Sequence, residues 1–173
     1  MKIIGFVYRD GKGEMVLKGD SCLLNGRKPM FMPDNTQELG VTECLVLRVS
    51  RLGKEIAPKF ASRYYDAVAP GADFTALDIL REAQLNGRPW TQAIAFDYSL
   101  AIGEWVETSA FGYQPSEYVL SPEEAVAEAS KMMTIRQGDL IYIQRAQAPR
   151  LVHKEEIIRA TINGEEKLYC KIK

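Results

Sequence analysis

The dipeptide Asn163-Gly164 stands between two alternating runs, Glu156-Ile-Ile-Arg-Ala-Thr-Ile162 and Lys167-Leu-Tyr-Cys-Lys-Ile172. A tight two-residue hairpin turn needs positive φ at both central residues, and Asn-Gly meets that demand at the least steric cost. The C-terminus is therefore expected to be a β-hairpin, and the rest of the chain repeats its style. Met1 to Tyr8 reads as a strand that turns at Asp10-Gly11-Lys12-Gly13 into Glu14-Met-Val-Leu17. Gly19, Asn25-Gly26, Pro29 and Pro33 cut residues 18–34 into short strands and turns, and Asn35 to Gly40 is a polar loop. Cys44-Leu-Val-Leu-Arg-Val49 suits a strand by length and branching, and Gln137-Gly138-Asp139 turns into a buried strand, Leu140-Ile-Tyr-Ile143.

Only two segments read as helices. One runs from Thr75 to Asn86, with Thr75 as cap, Asp78 in the capping-box position and Gly87 as stop signal. The other starts at Ser121-Pro122-Glu123-Glu124, with Ser as N-cap, Pro in the first turn and Glu124 in the capping box, and is expected to end near Met133. Trp90 to Gly103 has strand-like ends, and residues 110–120 give no assignment. The fold class is α+β, mainly β, in one domain spanning residues 1–173.

With 46% hydrophobic and 26% charged residues the composition is that of a globular protein, and a net charge of -1 gives no electrostatic case for nucleic acid or an anionic membrane. No apolar run reaches membrane-spanning length, and Met1-Lys2-Ile-Ile4 lacks the length of a signal peptide. Cys22, Cys44 and Cys170 are odd in number and scattered, which points to a reducing compartment, so the expected location is the cytoplasm.

The inventory for chemistry is thin. His153 is the single histidine, and its place before the last hairpin suits the surface, so neither a multi-histidine metal site nor a Cys–His relay can be assembled. Gly-rich phosphate loops, GxSxG and CxxC are absent. Cys44 in an apolar strand reads as inert core, and Glu123 and Glu124 are explained by capping and the helix dipole. Asp73 remains, a carboxylate just ahead of a helix start, where chemistry is often placed.

Around Asp73 the residues form a longer pattern. Arg51-Leu-Gly-Lys54, Phe60-Ala61, Arg63-Tyr-Tyr-Asp66, Gly71, Asp73-Phe-Thr-Ala76, Asp78, Gly87, Pro89-Trp90, Phe96-Asp97, Ser99 and Gly103 together resemble the small bacterial members of the fumarylacetoacetate hydrolase family. Lys18-Gly-Asp-Ser21, Lys28-Pro29 and Pro33-Asp34, and later Thr134-Ile-Arg-Gln-Gly-Asp-Leu-Ile141, extend the likeness over nearly the whole chain, with shortenings near residues 9–17 and 107–118. The resemblance implies a mixed β-sandwich or roll, a homodimer, and metal-dependent cleavage, decarboxylation or isomerisation of oxo acids. It implies Mg²⁺ or Ca²⁺ held by a Glu-x-Glu pair on a strand and by an Asp, the hard-oxygen set such ions require.

Matched position by position, the pattern keeps the Asp as Asp73 but puts Thr42 and Cys44 where the two glutamates belong. Glu43 lies between them and faces the other way unless a bulge shifts the register. The family's substrate-binding lysine falls on Ile94, and its arginine before Asp78 falls on Leu77. Residues 1–40 hold no lid histidine, and the Thr-Gly-Thr-Pro turn reads Gln144-Arg-Ala-Gln147. The leading expectation is thus a catalytically inactive homodimer with no cofactor, acting by binding or interaction. The alternative is a rebuilt metal-dependent hydrolase or decarboxylase of oxo acids, using Asp73 and Asp97, Glu43 after a register shift, and Cys44. A third reading is a structural partner of an active paralogue.

Overall fold

The computed structural model describes residues 1–112 and 117–173. Strands β1 (Ile3–Arg9) and β2 (Lys12–Lys18) form the N-terminal hairpin, with Asp10 and Gly11 both at positive φ in the turn. After β3 (Leu23–Asn25) come the two long strands of the molecule, β4 (Leu39–Val49) and β5 (Tyr65–Ala76). Helix α1 (Leu77–Leu85) follows β5 directly, then α2 (Thr91–Ile94), β6 (Leu100–Ile102) and β7 (Val106–Glu107). Helix α3 (Pro122–Met132), β8 (Leu140–Gln144), β9 (Arg150–Leu151) and the hairpin β10 (Ile157–Ile162) and β11 (Glu165–Lys171) complete the chain.

The main sheet runs β2-β1-β8-β4-β5-β6-β3, with β7 added to β5 and β9 added to β4. It is mixed: β1 pairs β8 and β3 pairs β6 in parallel, and the other pairs are antiparallel. The architecture is therefore α+β and mainly strands, with two helices longer than a turn or two among the described residues, α1 and α3. Alternation sorts the long strands onto two faces. Leu45, Leu47, Val68, Ile141 and Ile143 face one way and pack under Ala125, Val126 and Ala129 of α3. Cys44, Val46, Ala69 and Tyr142 face the other way with Ile3, Leu100 and Ile102. The β10–β11 hairpin closes the end of the sheet over Val41, Ala72 and Phe74.

The expected hairpin turn is present, with Asn163 at φ 53° and Gly164 at φ 79°. Helix α3 starts in a complete capping box, in which Ser121 Oγ accepts from Glu124 N and the Glu124 carboxylate accepts from Ser121 N. Three expectations are corrected. Thr75 does not cap α1, because β5 continues through it to Ala76, and Asp78 instead binds the preceding loop, accepting from Thr36 Oγ and Gln37 N. Asp73 is consequently a mid-strand residue and not part of a strand-to-helix connection. The first part of residues 90–103 is helical, as α2, and only its last part is a strand. The segment around residue 115 that gave no assignment falls partly outside the described residues.

Among the described residues no helix is long and apolar enough to cross a membrane.

Candidate functional site

Strand pairing fixes the site. Thr42 lies opposite Asp73, Cys44 opposite Gly71 on one side and opposite Gln144 on the other. Period-two alternation puts Thr42, Cys44, Asp73 and Gln144 on one face of the sheet, and that face is buried. The β4–β5 register is continuous here and shifts only at Arg48–Val49. The register shift that would have brought Glu43 onto this face is therefore absent. Glu43 projects from the opposite side and pairs with Arg145 at 3.0 Å, which also binds Glu117 at 2.8 Å.

What meets Asp73 is not a set of acids. Lys18, the last residue of β2, reaches across the face and places its Nζ 2.6 Å from Asp73 Oδ1. The lysine side chain is 0% exposed and the aspartate 2%. The remaining donors of the ammonium go to Ser99, at 3.2 Å to its carbonyl and 3.0 Å to its hydroxyl, and the hydroxyl in turn donates to the Ile94 carbonyl. The other oxygen, Asp73 Oδ2, accepts from Gln144 Nε2 at 2.7 Å, while Gln144 Oε1 accepts from the Tyr8 amide at 2.8 Å. Charge is matched inside the sheet face, and both oxygens of the carboxylate and the ammonium itself are hydrogen-bonded, which is how a buried ion pair is tolerated. The buried Tyr142 hydroxyl on the same face has no hydrogen-bond partner among the described residues.

Cys44 sits 4% exposed beside this pair. Burial first, and then the Asp73 charge, push its thiol well above its ordinary value, so it is held protonated and unreactive. The Tyr142 phenol is likewise pushed well up, by burial first and by Asp73 next.

A cavity of about 70 Å³ lies on the far side of Gln144 from the Asp73–Lys18 pair. Thr42, Thr75 and Gln144 line it together with Ile94, and Arg9 stacks over the Trp90 ring among the lining residues, 4.2 Å from its centroid. Of the sequence-derived candidates, Thr42, Asp73 and Ile94 are thus brought to one place, with Cys44 behind them. Asp97 is exposed, as is His153. The residues that sequence reasoning missed are Lys18 and Gln144. Their only sequence signal was position, Lys18 within the Lys-Gly-Asp-Ser likeness and Gln144 at the start of the altered turn.

The donor set can be tested against a hard divalent cation. Such an ion needs several charged oxygens to compete with water. The face supplies one carboxylate, both of whose oxygens already hold donors, with an ammonium 2.6 Å away. Among the described residues no group of three or more His, Cys, Asp or Glu is placed to hold a metal. The residues present do not fit Mg²⁺ or Ca²⁺.

No family model matches the chain. Oxaloacetate tautomerase FAHD1, mitochondrial, of Mus musculus is 23% identical over 177 residues, covering 92% of this chain and 80% of that protein. Among solved structures, a fumarylpyruvate hydrolase from Pseudomonas aeruginosa, in complex with Mn²⁺ and pyruvate, superposes with a TM-score of 0.82 at 19% identity, over 99% of this chain and 88% of that one. A 5-carboxymethyl-2-hydroxymuconate delta-isomerase from Mycobacterium smegmatis gives a TM-score of 0.81 at 17% identity, over 99% of this chain and 78% of that one.

Proposed function

We infer the function of this chain from its fold, which is that of the fumarylacetoacetate hydrolase family, and from its homology to oxaloacetate tautomerase FAHD1. We propose that it is a catalytically inactive homologue that needs no metal and acts by binding a small molecule or a partner. The observation that carries this reading is the closure of Asp73: one oxygen is bound by Lys18 and the other by Gln144. Lewis-acid activation of an oxo acid would need that carboxylate, two more like it, and a cation to orient the substrate's anionic end. Thr42, Cys44 and Ile94 occupy those positions. Ile94 turns the corresponding wall apolar, and the sole histidine is exposed in another part of the chain.

The purified protein is expected to neither tautomerise nor decarboxylate oxaloacetate, nor hydrolyse acylpyruvates, above the uncatalysed rate, with Mg²⁺ or Mn²⁺ present. The measurement is spectrophotometric loss of enol or diketo absorbance. Turnover that disappears in Asp73→Ala would establish the rebuilt-site alternative instead.

We further propose a homodimer. Tyr64, Tyr65 and Trp90 are half-buried aromatic groups, and Leu52, Leu85, Met132 and Phe31 are large apolar side chains left exposed on the single chain. Light scattering is expected to give twice the 19.4 kDa chain mass at micromolar concentration, and a monomer throughout would refute this.

A further inference from the structure

Gln144 makes two contacts that fix the orientation of its amide. A carboxylate oxygen only accepts and a backbone N–H only donates, so Nε2 must face Asp73 and Oε1 must face Tyr8. The parallel pairing of β1 with β8 ends at Phe6 opposite Ile143. The Gln144 side-chain carbonyl therefore takes up an amide, that of Tyr8, for which the ladder has no further rung. The same side chain lines the 70 Å³ cavity, so it separates the space near Arg9 and Trp90 from the Asp73–Lys18 pair.

We propose that Gln144 is an intramolecular stand-in for a ligand: a primary carboxamide seated in a recognition site made by the Asp73 carboxylate and the Tyr8 amide. It is the residue that decides what the cavity accepts. With Gln144 in place the cavity is lined by hydroxyl, amide and apolar groups and, at the Trp90 end, by Arg9, and the Asp73–Lys18 pair stays sealed behind the amide. With the side chain cut back, the cavity reaches Asp73 and takes a small primary carboxamide, whose N–H binds the carboxylate and whose carbonyl binds Tyr8 N–H. A carboxylate ligand of equal size is rejected from this seat, because it offers Asp73 no donor and faces it with a second anion while the Lys18 ammonium is already taken up by Asp73 and Ser99. This rests on the reading of the site as non-catalytic, yet its test uses neither substrate nor metal, so either can fail without the other.

The test is thermal unfolding of Gln144→Gly with 100 mM propionamide or propionate. Propionamide is expected to raise Tm by about 3 °C or more, through binding to the folded state, while propionate does not. Wild type and Gln144→Leu, whose sites are filled, are expected to show no such rise. No rise in Gln144→Gly, or an equal rise with propionate or in wild type, would overturn the proposal. Should Gln144→Gly fail to fold, the wild-type protein still decides. Its Gln144 side-chain NH₂ is expected to exchange with solvent at least 10-fold more slowly than exposed glutamine amides by ¹⁵N NMR, and exchange at the exposed rate would refute the seated carboxamide.

Discussion

Lys18→Met lowers the unfolding free energy by about 3–5 kcal/mol, the cost typical of removing one partner of a buried pair. The lysine side chain is fully buried, and its three hydrogen bonds are all internal, to Asp73 Oδ1 and to the carbonyl and hydroxyl of Ser99. Methionine fills the volume but leaves a carboxylate that is 2% exposed with only Gln144 as partner. That uncompensated charge is the main cost, since the hydrophobic exchange itself is nearly neutral. Asp73→Asn alone is expected to be destabilising for the mirror reason, an ammonium without its anion. The double variant Lys18→Met with Asp73→Asn strands no charge and is expected to recover about half of the combined loss or more. Urea unfolding of the four proteins closes the cycle. A loss under about 1 kcal/mol for Lys18→Met would mean that the ion pair is not buried as described.

Gly5→Ala is expected to cost about 3 kcal/mol or more, at the upper end of overpacking effects. A Cβ at Gly5 would lie 2.1 Å from Cζ and 2.3 Å from Cε1 of Tyr142, well inside van der Waals contact. The ring is 0% exposed, and it packs among Ile3, Val46 and Leu100, so it has nowhere to go without opening the sheet face. Gly5 and Tyr142 are register partners across β1 and β8, which makes the clash a property of the pairing and not of a mobile side chain. Shortening the neighbour, as in Gly5→Ala with Tyr142→Leu, is expected to recover part of the loss in thermal unfolding. Gly5→Ala at wild-type stability would contradict this packing.

These two sites show where sequence was informative and where it was not. The Asn163-Gly164 turn and the Ser121 capping box are local devices, and both were legible because their physics lies within four or five residues. Strand β5 was not. Its run Ala67-Val-Ala-Pro-Gly-Ala72 has small residues and a proline, a composition that carries no strand signal. Pro70 is tolerated because its strand neighbours on that side stop short of it: β6 pairs from Gly71 onward, and β7 only back to Val68. The missing N–H falls in the gap, and the Pro70 carbonyl still accepts from Gly103 N. That Thr42 and Cys44 share one face was legible from period-two spacing without any tertiary knowledge, while the expectation of two glutamates there came from the resemblance alone. Lys18 and Gln144 were not, since they lie 55 and 71 residues from Asp73 and meet it only through strand order.

The most direct test of the account is calorimetric titration of the wild-type protein with Mn²⁺ and Mg²⁺, repeated on Asp73→Ala. With both Asp73 oxygens engaged and Lys18 at 2.6 Å, the wild type is expected to give no saturable heat up to about 1 mM ion, and the variant to behave alike. Micromolar binding to the wild type that vanishes in Asp73→Ala would contradict it and make Asp73 a metal ligand.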